Sequence, residues 1–153
     1  MDTYAQLVAK LEQIDDGWSS IGPQPESRIE EIESKYGIRL PRSYREFLMQ
    51  VGGIDYPNHF FTSIDDDYLD DTAGFMCNTN MIRAQVGIPD GIIALEYDHD
   101  ADEIACLDLN RLNGDECPVI WYHPFQGRVI RDCAKSFDEF IRRYISGWLE
   151  ASG

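Results

Sequence analysis

Two runs of carboxylates dominate the chemistry this chain could offer. One is Asp65-Asp66-Asp67-Tyr68-Leu69-Asp70-Asp71 and the other is Glu96-Tyr97-Asp98-His99-Asp100-Ala101-Asp102-Glu103. Oxygen-rich loops suit a hard cation such as calcium. Asp98, Asp100 and Asp102 have the alternate spacing of the first three ligands of a calcium loop. The pattern then breaks. Glu103 stands where the sharp turn needs Gly, Leu109 stands where the bidentate Glu belongs, and flanking helices are absent. Two readings remain for these runs, a solvated acidic loop and an acidic docking face.

Other reactive residue types are scattered. His59, His99 and His123 are singles, and no C-x-x-C or H-E-x-x-H occurs, so zinc finds no ligand set at a compatible spacing. A cysteine nucleophile needs a neighbouring base and an electropositive setting. Cys106 lies inside an apolar run and reads as core. Cys133, just ahead of a helix start, has only a mildly activating position. There is no G-x-S-x-G elbow, no phosphate loop and no dinucleotide glycine fingerprint. Paired carboxylates for glycoside chemistry stay open, because among 28 acids some must lie close together. The expectation is a chain that is not an enzyme, with no cofactor and no metal. Trp121, Tyr122 and Trp148 read as core, whereas Trp18, beside a Gly and two Ser, is expected to be partly exposed and is a candidate binding anchor.

Charge narrows the partners. The 28 Asp and Glu against 13 Lys and Arg give a formal charge of −15 over 153 residues. Such a chain repels phosphate backbones and anionic lipid, which argues against nucleic acid and favours a basic protein surface. No apolar run approaches the roughly 20 residues of a membrane span. The segment Met1-Asp2-Thr3-Tyr4 shows no signal-peptide pattern. The sequence therefore predicts a cytoplasmic protein with reduced thiols at Cys77, Cys106, Cys117 and Cys133. A chain of this length can bury about 69% of its extended surface around one core, so one domain over 1–153 is expected.

These residues must be positioned by a few elements. Thr3 and Gln6 fit a capping box, and Tyr4, Leu7, Val8, Leu11 and Ile14 recur at helical spacing. Gly17 is a plausible stop, and residues 19–24 read as a short linker. Pro25 opens a second helix with Ile29, Ile32 and Tyr36 on its buried stripe, and Gly37 is placed for a left-handed end. Pro41 starts a third helix, with Tyr44, Phe47, Leu48 and Val51 on one face and Gly52-Gly53 ending it. Short apolar runs then read as strands: Phe60–Thr62, Gly74–Cys77, Ile92–Leu95, Ile104–Leu107, Val119–Tyr122 and a brief Val129-Ile130. Asn113-Gly114 predicts an antiparallel hairpin. Ser136 and Glu139 make a second capping box before Phe137, Phe140, Ile141, Tyr144, Ile145 and Trp148. Helices, sequential strands and a closing helix predict an α+β fold. Its mostly antiparallel sheet, from about Phe60 to Ile130, packs against the terminal helices.

The order of these pieces carries a resemblance. Tyr36-Gly37 is followed by Leu40-Pro41-Arg42-Ser43-Tyr44-Arg45-Glu46-Phe47-Leu48, then Val51-Gly52-Gly53, Leu107-Asp108-Leu109, Val119–His123 and Ser136-Phe137-Asp138-Glu139-Phe140. From about residue 25 to 149 this resembles the Smi/Knr-like family of the SUKH superfamily, with its "LP-x-x-Y-x-x-F-L", "L-D-L" and "S-F-x-x-F" motifs. The segment ahead of Leu107 departs from the pattern, being acidic where the family often has a Gly-rich turn. The motifs read as fold determinants, and Asp108, a charge in an apolar strand, is expected to face the turn or accept backbone hydrogen bonds.

The resemblance implies a binding protein. Bacterial members look like immunity proteins against toxins, many of them nucleases, and fungal relatives look like regulators of cell-wall assembly. The first reading implies a basic toxin domain docking on Asp65, Asp66, Asp67, Asp70, Asp71, Asp98, Asp100, Asp102 and Glu103, with Trp18 as the alternative anchor. A regulatory scaffold, a small-ligand or cation-binding domain, and an enzyme stand as the alternatives.

Overall fold

The fold is drawn from a computed structural model, and the description covers residues 1–20, 22–56, 59–60, 90–98, 103–123 and 126–152. The expected strand at Gly74–Cys77, residues Phe61 and Thr62, and the thiol of Cys77 lie outside these residues.

Helix α1 spans Tyr4–Ile14 and begins with the expected box. The Thr3 side chain accepts from the Gln6 backbone N–H, and the Gln6 side chain accepts from the Thr3 N–H. The chain leaves α1 at Asp15, whose carboxylate accepts the Gly17 N–H. Strand β1, Ser19–Ser20, then pairs antiparallel with β2, Ile54–Tyr56. Residues 19–24 are therefore more than a linker. Gly22 and Gln24 donate backbone N–H groups to the carbonyls of Val51 and Leu48, stitching this segment to the end of α3. Isolated from their partners, two serines carry no strand signal.

Helix α2 spans Glu26–Tyr36 and ends on Gly37, which is left-handed with φ 63°. Helix α3 spans Arg42–Gln50. Its first turn is completed from far along the chain. Glu116 accepts the Ser43 N–H at 3.1 Å and the Ser43 hydroxyl at 2.7 Å, and the Asp115 carbonyl accepts the Arg42 N–H at 2.7 Å. A carboxylate at this end also suits the helix dipole. Pro41 precedes the helix with no side-chain cap of its own, so Glu116 supplies what the local sequence lacks.

The small sheet is completed by β3, His59–Phe60, antiparallel to β2. The main sheet is a four-stranded antiparallel meander: β4 Ile92–Asp98, β5 Glu103–Asp108, β6 Val119–His123 and β7 Arg128–Ala134. Among the described residues the strands form two sheets where one was expected, and the last strand runs four residues past Ile130. Between β5 and β6, Asp108 accepts the Asn110 N–H and caps a 3-10 turn at Leu109–Arg111, while Arg111 closes on both Asp108 and Asp132. The expected hydrogen-bonding role of Asp108 holds.

Alternation along the strands divides the buried residues into two sets. Ile93, Leu95, Ala105, Leu107 and Val119 join the core built with the helices. Ile92, Ala94, Ile104, Cys106, Ile120 and Tyr122 form a second cluster on the other face, all at most 3% exposed. Antiparallel sheets commonly wet one face. Here both are buried, which is why Ile92–Leu95, Ile104–Leu107 and Val119–Tyr122 read as unbroken apolar runs rather than alternating ones.

Helix α4, Phe137–Ser152, closes the fold against α1, α3 and β7. Phe137 is fully buried and meets Tyr44 at 5.0 Å, Phe47 at 5.2 Å and Tyr4 at 6.4 Å, all in edge-on geometry. The rim of this contact is polar. Tyr4 donates to Asp138 at 2.6 Å, Arg142 donates to the same oxygen at 2.8 Å, and Arg142 also reaches the Asp2 carbonyl at 2.7 Å. Ser136 accepts the Glu139 N–H, but Glu139 turns to the Lys135 N–H, so the second capping box is displaced by one residue.

Two predictions follow from this packing. Gly52 has φ 82°, and a Cβ there would overlap the Gly22 carbonyl oxygen. Gly52→Ala is expected to lose about 2–4 kcal/mol in urea denaturation, whereas Gly37→Ala, with open space around it, loses about 1 kcal/mol from its backbone conformation alone. The second concerns pH. Burial pushes the Asp138 carboxyl up, and the hydrogen bonds from Tyr4 and Arg142 outweigh it, leaving its pKa below the ordinary 3.8. A depressed carboxyl stabilises the fold above its unfolded value and loses that contribution as pH falls through the folded one. Asp138→Asn is therefore expected to cost about 1 kcal/mol at pH 7, with the gap to the parent protein closing below about pH 4 in a stability titration.

Candidate partner-binding surface

The residues expected to meet a partner fall into three groups. Asp65, Asp66, Asp67, Asp70, Asp71, Asp100 and Asp102 lie outside the described residues. Asp98 ends β4 directly opposite Glu103, which opens β5, so residues 99–102 join two paired strands. The second acidic run therefore belongs to a hairpin of the main sheet, with both its flanks fixed by the ladder.

Glu103 is the member whose charge can be followed. Its side chain is 20% exposed and accepts both terminal nitrogens of Arg131, at 3.2 and 3.4 Å. Arg131 in turn lies over the Trp121 ring, 5.8 Å from its centroid. The Glu103 carboxylate is thus neutralised within the sheet.

Trp18 corrects an expectation. It is 5% exposed, not partly open, and its ring meets Trp148 edge-on at 5.4 Å. The turn at Asp15–Gly17 explains the difference. The Trp18 N–H bonds the Asp15 carbonyl and the Asp15 side chain holds Gly17, so the chain doubles back and carries the indole onto α4. The Gly and Ser neighbours that suggested exposure are the residues of that turn and of β1.

None of the three described cysteines is activated as a thiolate. Burial pushes Cys117 up to about 12 and raises Cys106 further, so both stay protonated at neutral pH. Cys133 is also raised by burial, despite nearby Arg143 and Arg131. Cys106, Cys117 and Cys133 are free thiols. Among the described residues, no three His, Cys, Asp or Glu side chains gather as a metal site, and no helix is long and apolar enough to cross a membrane.

Ion pairing across the surface was not legible from spacing alone. Arg45 is shared by Glu33 and Glu26 of α2, joining α2 to α3, and Glu33 also accepts the Leu40 N–H at 2.7 Å. Local pairs such as Arg42–Glu46 and Arg143–Glu139 do follow the i,i+4 rule.

If Trp18 belongs to the core, Trp18→Ala should cost about 3–5 kcal/mol of stability. A loss below about 1 kcal/mol in chemical denaturation would return the residue to the surface.

The family comparison covers the same architecture. The model described as the SMI1 / KNR4 family (SUKH-1) matches residues 23–143. That stretch holds α2, α3, the whole main sheet and the first turns of α4, with Tyr44, Phe47, Phe137 and Phe140 all inside it. Most of the sequence is matched, and the chain belongs to the SMI1 / KNR4 (SUKH-1) family.

Proposed function

We propose that this chain is a non-catalytic protein-binding module, an immunity protein that neutralises a cognate bacterial toxin by occupying a basic face of it. The observation that carries the reading is the charge imbalance. A formal −15 draws heavily on two acidic runs, on a family framework that supplies no catalytic motif. Loops between fixed strands let a binding surface vary without disturbing the core. A nuclease cleft is basic because it binds phosphate, and an acidic surface entering that field associates quickly by electrostatic steering.

The acids assigned to the contact are Asp65, Asp66, Asp67, Asp70 and Asp71 in one patch and Asp98, Asp100 and Asp102 in the other. Glu103, paired with Arg131, contributes geometry at the base of the hairpin rather than free charge. Trp18 is assigned to the core and not to the partner. The cytoplasm is the compartment this reading requires.

The test uses the product of the neighbouring reading frame as partner and stopped-flow association at low and moderate salt. Replacing the eight aspartates by Asn is expected to lower the on-rate by about 10- to 100-fold and to flatten its salt dependence. Glu103→Gln should leave the on-rate within about twofold of the parent. An unchanged on-rate and salt slope after neutralising both patches would refute the acidic docking face. A partner that binds without losing a toxic activity would favour a regulatory scaffold of the cell-wall type.

A further inference from the structure

Asn113 is followed by Gly114, the one Asn-Gly pair in the sequence. The backbone nitrogen after an asparagine can attack the side-chain amide and close a five-membered imide. A side chain on that following residue hinders the attack, and glycine has none. The fold leaves this pair open. Both residues are exposed in the loop between β5 and β6, where Asn113 and Glu116 face each other across a four-residue turn. Gly114 has φ 66°, with no atom within 4 Å of where a Cβ would stand. Among the described residues, neither the Asn113 side chain nor the Gly114 N–H takes part in a hydrogen bond. Asn110, in the same loop, is the contrast. Its side chain donates to the Asp90 carbonyl at 3.0 Å, its N–H is held by Asp108, and Arg111 follows it.

The start of α3 depends on the length of this turn. The Asn113 N–H bonds the Glu116 carbonyl at 2.8 Å and closes it. From within it, the Asp115 carbonyl accepts the Arg42 N–H, and the Glu116 carboxylate accepts the Ser43 N–H and hydroxyl. Helix α3 has no side-chain cap of its own, so these three bonds satisfy groups that nothing local replaces.

We infer that Asn113 is a site of spontaneous deamidation, and that its isoaspartyl product uncouples the β5–β6 loop from the start of α3. The Gly114 nitrogen gives up its proton to water or hydroxide and bonds the Asn113 Cγ, and the side-chain nitrogen leaves as ammonia. Water then opens the imide at one of its two carbonyls. Opening at Cγ restores the backbone and leaves an aspartate side chain. Opening at the main-chain carbonyl leaves the chain running through Cγ, an isoaspartyl linkage with one extra methylene in the backbone. Either route consumes one water and releases one ammonia, and nothing is oxidised or reduced. The aspartate product adds a negative charge beside Asp115 but keeps the length of the turn. The isoaspartyl product lengthens a turn whose two ends are fixed against each other, and so moves Asp115 and Glu116 off Arg42 and Ser43. The site shares no residue with the acidic runs and stands whether or not those bind a toxin.

The test ages the full chain in neutral and mildly alkaline buffer and follows each asparagine by peptide mass spectrometry, with isoaspartyl methyltransferase labelling to mark the lengthened linkage. Asn113 is expected to convert at least about tenfold faster than Asn110, faster at higher pH, and to take up the label. In the separated isoaspartyl chain, hydrogen exchange of the Arg42 and Ser43 amides should speed up by about tenfold or more. Asn113→Asp, which adds the charge on a normal backbone, should stay within about twofold of the parent at both amides. Conversion of Asn113 no faster than that of Asn110, an aged chain without label, parental exchange in the isoaspartyl chain, or equal acceleration in Asn113→Asp would each overturn the proposal.

Discussion

The side chain of Phe137 is where the two ends of this fold meet, and much of the remainder depends on that meeting. Its ring is enclosed by Tyr4 from α1 and by Tyr44 and Phe47 from α3. Helices α1 and α3 touch through Tyr4 and Phe47, whose rings lie 5.9 Å apart. Phe137, Phe140, Ile141 and Ile145 bring α4 onto both of them and onto β7. The aromatic contacts add geometric preference to burial, since edge-on rings hold their relative orientation better than aliphatic chains do. Around this apolar centre the polar rim of Tyr4, Asp138 and Arg142 fixes the rotation of α4 on α1.

A second constraint operates between the helices and the sheet. The loop that joins β5 to β6 gives its Asp115 carbonyl and Glu116 carboxylate to the start of α3. A helix end and a sheet turn thereby satisfy each other's unpaired groups, and neither is complete alone. The Arg45–Glu33 pair and the Glu33–Leu40 bond do the same for α2 and α3.

Much of this was legible in the residues. The Thr3–Gln6 box, the left-handed Gly37, the helix stop at Gly52 and the core placement of Tyr44, Phe47, Phe137 and Phe140 are each determined within a few residues, by caps, by backbone freedom or by helical spacing. The short family motifs hold because their aromatics converge on one contact. What escaped reading depends on distant partners. Ser19 and Ser20 are strand only because Ile54 and Asp55 lie beside them. Trp18 is buried because a local turn aims it at a helix 130 residues away in the chain. The neutralisation of Glu103 by Arg131 needs the meander to bring β5 and β7 to either side of β6. For the candidate surface, spacing located the acidic runs but not the pairing of Asp98 with Glu103 that puts one of them in a hairpin. It could not show that Glu103 is compensated by Arg131.

The late position of Phe137 bears on how the protein is made. A ribosome delivers α1, α2 and α3 before the strands, and the helix that fills the space between Tyr4, Tyr44 and Phe47 after them. At about 5–20 residues per second the aromatic faces of α1 and α3 are synthesised several seconds before their cover exists, with additional delay while α4 clears the exit tunnel. During that interval the nascent chain presents apolar surface with no native partner. The dense negative charge of the sequence then acts in a second capacity, as mutual repulsion that keeps unfinished chains apart until α4 arrives.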